Sequence, residues 1–247
     1  MSAVLSVNGL VVRFGGVHAV DDLSFEVRRN ELLGLIGPNG AGKTTLMRAL
    51  TGSVLPLSGR LTFRGVEIRT LPTHQRIRLG IGLSQQIVKP FPNLTAIDNV
   101  GFSAGGSNTQ PVWKSLLRLS RVREREKARL LLQRLGIDEF ADAMPSELPL
   151  GVLKRLELAR VLALEPELLL LDEPLAGLNH IEAARIADII SGLVADGLTI
   201  ILIEHNLGEV LRICSRMIVL DNGKKIAEGD PQAVMADQAV RAAYLGT

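Results

Sequence analysis

The sequence predicts an α/β fold built on a mostly parallel sheet, and three observations carry that prediction. Short apolar runs alternate with segments of helical periodicity along most of the chain, the pattern of strands joined by crossover helices. One run, Leu168–Leu171, is leucine at every position, which suits a strand buried on both faces. A glycine-rich stretch, Gly37 to Thr45 (GPNGAGKTT), lies between an apolar run and the start of a helix.

Taken in order, residues 4–12 and 23–27 read as strands joined by the turn-prone FGGVHAVDD. Phe14 falls at the end of the first strand, where a core side chain and a ligand-stacking ring are both open readings. Leu32–Ile36 is a short apolar strand, and Leu46–Leu50 reads as helix after the glycine stretch. Residues 61–63 and 66–68 flank Arg64-Gly65 as a hairpin. Pro72 suits the first turn of a short helix over THQRIRL. Gly80–Ser84 is a further strand, ending at Gln85-Gln86 before the irregular KPFPNLT.

Residues 95–146 differ in character. A glycine- and serine-rich loop, SAGGSNTQP, leads into a long helical pattern from Val112 to about Leu135. Its RVREREKAR stretch reads as a solvated helix face, with a protein-docking face as the alternative. A short helix over 138–143 and a loop at Met144–Ser146 follow. This section reads as a helical insertion in the α/β core. From Gly151 a helix runs to about Leu164 with an inward stripe of Val152, Leu156, Ala159 and Ala163, and Pro166 helps to end it. After the Leu168–Leu171 strand come a helix over about 180–195, a strand over 198–203 and another helix. Two strands around Asp221-Asn222-Gly223 and two short helices from Pro231 to Tyr244 complete the chain.

Composition narrows the function. Of 247 residues, 47% are hydrophobic and 22% charged, ordinary values for a globular protein. The net charge of +2 creates no strong field, and 3% aromatics leave little for base stacking, so nucleic acid is not an expected partner. The single cysteine, Cys214, reads as a buried apolar residue in a reducing cytosol. No signal peptide is apparent, and no apolar run approaches the length of about 20 residues that spans a bilayer.

The glycine stretch carries the first chemistry. Its GxxxxGK[ST] pattern is that of a P-loop. Gly37, Gly40 and Gly42 can adopt backbone angles closed to other residues, so successive N–H groups curl around a phosphate. The helix start adds unpaired donors and a positive dipole end. Lys43 can reach the β- and γ-phosphates, and Thr44 offers a hydroxyl to the accompanying Mg2+. Two carboxylates, Asp172 and Glu173, end the buried leucine strand. They can hold the ion and orient or deprotonate the attacking water. A cap on the following helix is the simpler reading of such a pair.

With Gly37–Thr44 as Walker A, Leu168–Asp172 as Walker B, Glu173 behind it and His205 after the next strand, the chain resembles an ABC-type ATPase along its whole length. The resemblance implies a P-loop NTPase (RecA-like) core with an N-terminal antiparallel β portion and an inserted helical subdomain. Within one domain, 1–247, the core would span 1–92 and 165–230, the helical subdomain 93–164 and C-terminal helices 231–247. ATP and Mg2+ are the implied ligands. Gly37, Pro38, Asn39, Gly40, Ala41, Gly42, Lys43, Thr44 and Thr45 would hold the phosphates, and Phe14 would stack on adenine. Thr44, Gln86 and Asp172 would serve the metal, and Glu173, His205 and Gln86 catalysis. Gln86 is preferred to Gln85 for the Q-loop on its spacing to Leu94-Thr95. Ala176–Asn179 takes the D-loop, with Asn179 in place of the more common aspartate.

The family's LSGGQ signature corresponds here to Leu148–Val152 (LPLGV), followed by KRLELAR. Pro149 lacks the serine hydroxyl and a backbone N–H, so a site completed by this loop is expected to hydrolyse ATP less well. The opening GLVVRFGGVHAVDDLSFEV, the IEHN at 203–206 and the ending IAEGDPQAVMADQAVRAAYLGT resemble ATP-binding subunits of branched-chain amino acid importers. That implies a cytoplasmic subunit peripheral to the membrane. Its partners would be a second ATPase subunit, identical or not, two transmembrane permease subunits and, indirectly, an extracytoplasmic solute-binding protein. The alternatives are another ABC system, such as lipopolysaccharide export or urea and amide uptake, and a soluble non-transport ABC ATPase. A kinase or GTPase fits less well, because no NKxD-like motif is present.

Overall fold

The computed structural model describes residues 3–84, 89–106 and 118–245. Two sheets organise it. A four-stranded antiparallel sheet has the order β2-β1-β4-β5, formed by β1 (Ala3–Phe14), β2 (Val17–Arg28), β4 (Ser58–Phe63) and β5 (Val66–Glu67). A six-stranded sheet has the order β10-β9-β3-β8-β7-β6. Its strands are β3 (Leu32–Ile36), β6 (Ile81–Ser84), β7 (Leu168–Asp172), β8 (Thr199–Ile203), β9 (Arg216–Asp221) and β10 (Lys224–Gly229). The pairs β6–β7, β7–β8, β8–β3 and β3–β9 are parallel, and β9–β10 is an antiparallel hairpin.

The central strands are buried on both faces, as their uninterrupted apolar runs predict. Leu33, Leu35, Leu168, Leu170, Ile201 and Ile203 join the core shared with the antiparallel sheet and helix α1 (Lys43–Thr51). Their alternate neighbours, Leu32, Ile36, Leu169, Leu171, Ile200 and Leu202, face the opposite core. That second core is closed by α3 (Ala96–Gly106), α4 (Arg118–Arg134), α5 (Leu150–Leu162) and α6 (His180–Ala195), with contributions from α7 (Leu207–Ile213), α8 (Pro231–Ala236) and α9 (Gln238–Leu245). The expected inward stripe of α5, Val152, Leu156 and Ala159, with Ala163 just beyond its end, is buried there.

Three expectations change. The turn predicted over FGGVHAVDD shrinks to Gly15-Gly16, because β1 and β2 pair on both sides of it. Positive φ at Gly9 (57°) and Asp22 (52°) accompanies shifts in register that let the ladder continue past these positions. Ser103–Gly106, expected in a loop, belongs to α3, a helix not predicted at all. Gly101, Gly105 and Gly106 lower its intrinsic propensity, but Gly101 and Gly105 lie against Glu124 of α4, so packing of the two helices supports α3 despite them. Residues 107–117, including the expected helix start at Val112, lie outside the described residues. Third, the short helix over 138–143 is a 3-10 turn at Asp138–Phe140, and the loop at Met144–Ser146 leads into another at Pro145–Glu147.

The remaining elements follow the sequence closely. Arg64 (φ 53°) and Gly65 (φ 79°) form the tight hairpin turn between β4 and β5. The helix α2 (Thr73–Arg78) begins directly after Pro72. Among the described residues no helix is long and apolar enough to cross a membrane.

Candidate functional site: a phosphate loop facing two carboxylates

The parallel strands deliver the site's parts to one edge of the sheet. β3 leads into the glycine loop, where Gly37, Gly40 and Gly42 have φ of 148°, 82° and 100°. Space as well as conformation demands glycine at two of these positions. A Cβ on Gly37 would run into the Leu220 carbonyl oxygen, and one on Gly42 into that of Ala19. The loop is buttressed from outside, because Gly223 N–H donates to the Ala41 carbonyl (3.1 Å) and Asp21 N–H to that of Gly223 (2.9 Å). The hairpin turn between β9 and β10 therefore supports the phosphate loop. On the neighbouring α9, Tyr244 reaches Gly37. Burial pushes its phenol up, and a backbone hydrogen bond from Gly37 partly offsets this.

Helix α1 opens at Gly42 with no side-chain cap and no acidic residue in its first turn. Its leading N–H groups are thus left for an anion, with the positive dipole end behind them. Lys43 is buried, and its Nζ donates to the carbonyls of Gly37 (2.7 Å) and Pro38 (2.9 Å). Burial lowers its pKa, while the carboxylates of Glu173 and Asp172 act in the opposite direction. Thr44, next along the helix, is exposed.

Asp172 ends β7. Burial raises its carboxyl pKa and Glu173 adds to the rise, against smaller contributions from Arg48, Lys43 and His205. Its Oδ1 is buried and has no hydrogen-bond partner among the described residues. A buried acceptor without a donor costs free energy unless something positive reaches it. The donor set of this carboxylate and the Thr44 hydroxyl fits a hard cation with oxygen ligands.

Glu173 is a non-glycine residue in the left-handed region (φ 52°), a conformation that costs about 1–2 kcal/mol and is held from several sides. Its N–H donates to the Ile203 carbonyl (2.9 Å). Its carbonyl accepts from Lys154 Nζ (3.3 Å) and from the Ala176 N–H (3.3 Å). Its Oε1 lies 2.9 Å from His205 Nε2. Glu173 and His205, brought from the ends of adjacent strands β7 and β8, are therefore in contact. A carboxylate held this way can accept a proton from a water beside the phosphates.

Glu204 is a residue that the sequence reading missed. It is 4% exposed, and its carboxylate accepts the N–H groups of Leu175 (2.6 Å) and His205 (3.2 Å). Burial raises its pKa, opposed by those backbone bonds. It ties the loop after Glu173 to the residue that contacts Glu173. The signal was available: a carboxylate closing a buried apolar strand, as at Asp172.

The other expected residues fall as follows. Phe14 stands at the end of β1 with 52% of its surface exposed, so it is not a core residue. Gln86 and its neighbour Gln85 lie outside the described residues. Asn179 caps α6, its side chain accepting the Glu182 N–H (2.9 Å). Pro149 is the residue before α5, with φ −58°, so its missing N–H interrupts no helical bond.

Comparison with known proteins decides what this arrangement belongs to. Residues 20–176 match the family model described as ABC transporter. The chain belongs to the ABC transporter family. It is an ATP-binding, ATP-hydrolysing cassette of that family. Residues 224–247 also match a model described as branched-chain amino acid ATP-binding cassette transporter. The cassette is 38% identical to the high-affinity branched-chain amino acid transport ATP-binding protein LivG of Salmonella typhimurium, over 98% of each chain. It is 36% identical to the lipopolysaccharide export system ATP-binding protein LptB of Acidithiobacillus ferridurans, over 100% of this chain and 98% of that one. Among solved structures it is similar to a nucleotide-free ATP-binding cassette from an ABC transporter. There the TM-score is 0.87 at 29% identity, and the match covers both chains completely.

Proposed function

We propose that this cassette powers an importer of branched-chain or other hydrophobic amino acids. The observation that carries the reading is the match of the C-terminal residues 224–247 to the branched-chain amino acid cassette model, since phosphate loops alone do not separate importers from exporters. In this reading the core spans 1–92 and 165–230, the helical subdomain 93–164 and the C-terminal helices 231–247. Gly37–Thr45 binds the triphosphate, with Phe14 stacking on the base. Thr44, Asp172 and Gln86 hold Mg2+, which when bound supplies charge to neutralise the phosphates. Lys43 exchanges the Gly37 and Pro38 carbonyls for phosphate oxygens. Glu173 takes the proton of the attacking water, and His205 holds that carboxylate in place.

A second ATPase subunit closes over the nucleotide, and the cassette sits against the cytoplasmic side of the membrane on two permease subunits. An extracytoplasmic binding protein delivers the solute. A cleft of about 330 Å3 beside Lys89, lined by Ile77, Leu83, Glu157 and Arg160 among others, suits the permease contact. Arg160 lies 5.0 Å above the Phe91 ring, and its buried Nε has no partner among the described residues. An incoming backbone carbonyl can satisfy that donor.

The test is affinity purification of the full chain from detergent-treated membranes, followed by ATPase assays with candidate solutes. Recovery with two permease subunits and stimulation by leucine, isoleucine or valine is expected. Stimulation by lipopolysaccharide would support the export reading that the 36% identical relative favours. Recovery with ribosomes or DNA would refute transport.

A further inference from the structure

Lys154 is the residue that neither the motifs nor the proposed chemistry uses. It lies in the second turn of α5, is 8% exposed, and donates from Nζ to the Glu173 carbonyl at 3.3 Å. Burying an ammonium is unfavourable, and burial accordingly lowers the Lys154 pKa. The carboxylates of Glu204, Glu173 and Glu157 oppose the shift. The cation therefore sits where the two elements framing the site, the turn after β7 and the loop after β8, bring their acids together.

We propose that Lys154 is a positioning residue for ATP hydrolysis: through the Glu173 carbonyl it fixes the left-handed peptide that aims the Glu173 carboxylate. Glu173 is held by a bond from its N–H to β8, a bond to Ala176 in its own turn, and the bond from Lys154. The last comes from the helical segment. Its origin matters, because Lys154 follows the Leu148–Val152 loop by two residues on the same helix. Any rotation of α5 that accompanies engagement of a partner at that loop moves the Lys154 anchor as well. One helix thus links the loop offered to the partner's nucleotide to the base of the chain's own site. The proposal rests on Glu173 being that base.

The experiment is steady-state ATP turnover by the full chain carrying Lys154→Met, Lys154→Arg, Glu173→Gln and the Lys154→Met/Glu173→Gln pair, with nucleotide binding measured in parallel. Lys154→Met is expected to lower kcat by about 10–100-fold, the scale of a misplaced catalytic group, with KM for ATP within about threefold. Lys154→Arg, which can still donate to the carbonyl, restores kcat to within a few-fold of wild type. On the Glu173→Gln background, Lys154→Met causes no further loss. If Lys154→Met does not fold, Lys154→Gln replaces it, keeping a donor without the charge, and an intermediate kcat is expected.

A kcat within twofold of wild type for Lys154→Met, or for its replacement, overturns the proposal. So does a loss that persists undiminished on the Glu173→Gln background, or one that Lys154→Arg shares in full. A dead Glu173→Gln beside an unaffected Lys154→Met overturns the positioning role alone. Full turnover by Glu173→Gln overturns the base assignment, and the proposal with it.

Discussion

Arg76 offers a severe test of how the phosphate loop is anchored. It is 1% exposed, and four backbone carbonyls accept from it: Ala49 (2.6 Å), Leu50 (2.8 Å), Arg69 (2.8 Å) and Leu71 (2.8 Å). Two of these lie in the last turn of α1: the Ala49 carbonyl also accepts the Gly52 N–H (3.3 Å), while that of Leu50 is one of the acceptors a helix end leaves without an internal partner. The guanidinium therefore caps the C-terminus of the helix whose N-terminus follows the glycine loop. Burial lowers its pKa, but an arginine starts so high that it remains a cation. Arg76→Met keeps the bulk and removes the donors. A buried carbonyl without a donor costs about 1–3 kcal/mol. Ala49 keeps its bond from Gly52, so three carbonyls lose their donor; the lower figure is taken for each, because the cleft that Arg76 helps to line can admit water. The sum is about 3 kcal/mol. For a chain of this size, about 2–4 °C is lost per kcal/mol, giving a fall in Tm of roughly 6–12 °C. Saturating ATP at about 100 times its Kd restores about 2.7 kcal/mol if the loop still binds. The assay is thermal unfolding followed by circular dichroism, with and without nucleotide. Arg76→Lys should fall between, because a point-like ammonium cannot span four carbonyls. A loss below about 3 °C for Arg76→Met would refute the capping role, since it is less than the cost of one unsatisfied carbonyl.

Three further outcomes are expected. Lys43→Ala should abolish measurable binding at micromolar ATP in calorimetry, because the phosphates lose their one buried cation in the loop; tight binding by that variant would count against the phosphate-loop assignment. Pro149→Ser adds a hydroxyl at the start of α5, and turnover at the composite site completed by this loop should rise about 10-fold or more, the scale of a hydrogen bond to a charged group. Unchanged per-site rates would sink that reading. The Cys214 thiol is pushed up to about 12 from 9.0 by burial. The folded state keeps this proton while the unfolded state loses it, so the contribution of Cys214 to stability falls as pH rises above about 9. Urea titrations at pH 8 and 10 should show that loss in wild type and a smaller one in Cys214→Ala; equal losses would remove Cys214 as the cause.

The architecture was legible in the sequence wherever one signal dominated. Leu168–Leu171 and Leu32–Ile36 have no polar alternation, and both proved buried on two faces. Gly37, Gly40 and Gly42 were needed for positive φ, and all three have it. The helix α3 was hidden because three glycines masked it. Its start signal was nevertheless present, with Thr95 Oγ1 accepting the Asp98 N–H (3.3 Å) in a Thr-x-x-Asp capping pair. Asn99, fully buried, bonds the Phe91 N–H (2.8 Å) and the carbonyls of Phe91 and Leu94, and so fixes the irregular stretch before the helix. At the site, Asp172, Glu173 and His205 could be picked out because they end strands. Glu204, directly after β8, carried the same signal, but what it and Lys154 would meet was not legible. Their significance lies in backbone groups they meet across 29 and 19 positions of sequence, and no local pattern encodes such a meeting. Arg76 was equally silent, because its partners are carbonyls from α1 and from the turn before α2.

The most direct measurement pairs ATP turnover with solute uptake. Lipid vesicles holding the complete transporter, with the cassette either wild type or Glu173→Gln, are given leucine with the solute-binding protein on the side opposite the cassette. Wild type should accumulate leucine only when ATP is present on the cassette side, with hydrolysis stimulated by the loaded binding protein. Glu173→Gln should bind ATP with near wild-type affinity, trap a closed dimer and sustain neither turnover nor uptake. Undiminished hydrolysis by Glu173→Gln would contradict the assignment of the base, and robust ATP turnover without leucine transport by wild type would contradict the amino-acid import reading.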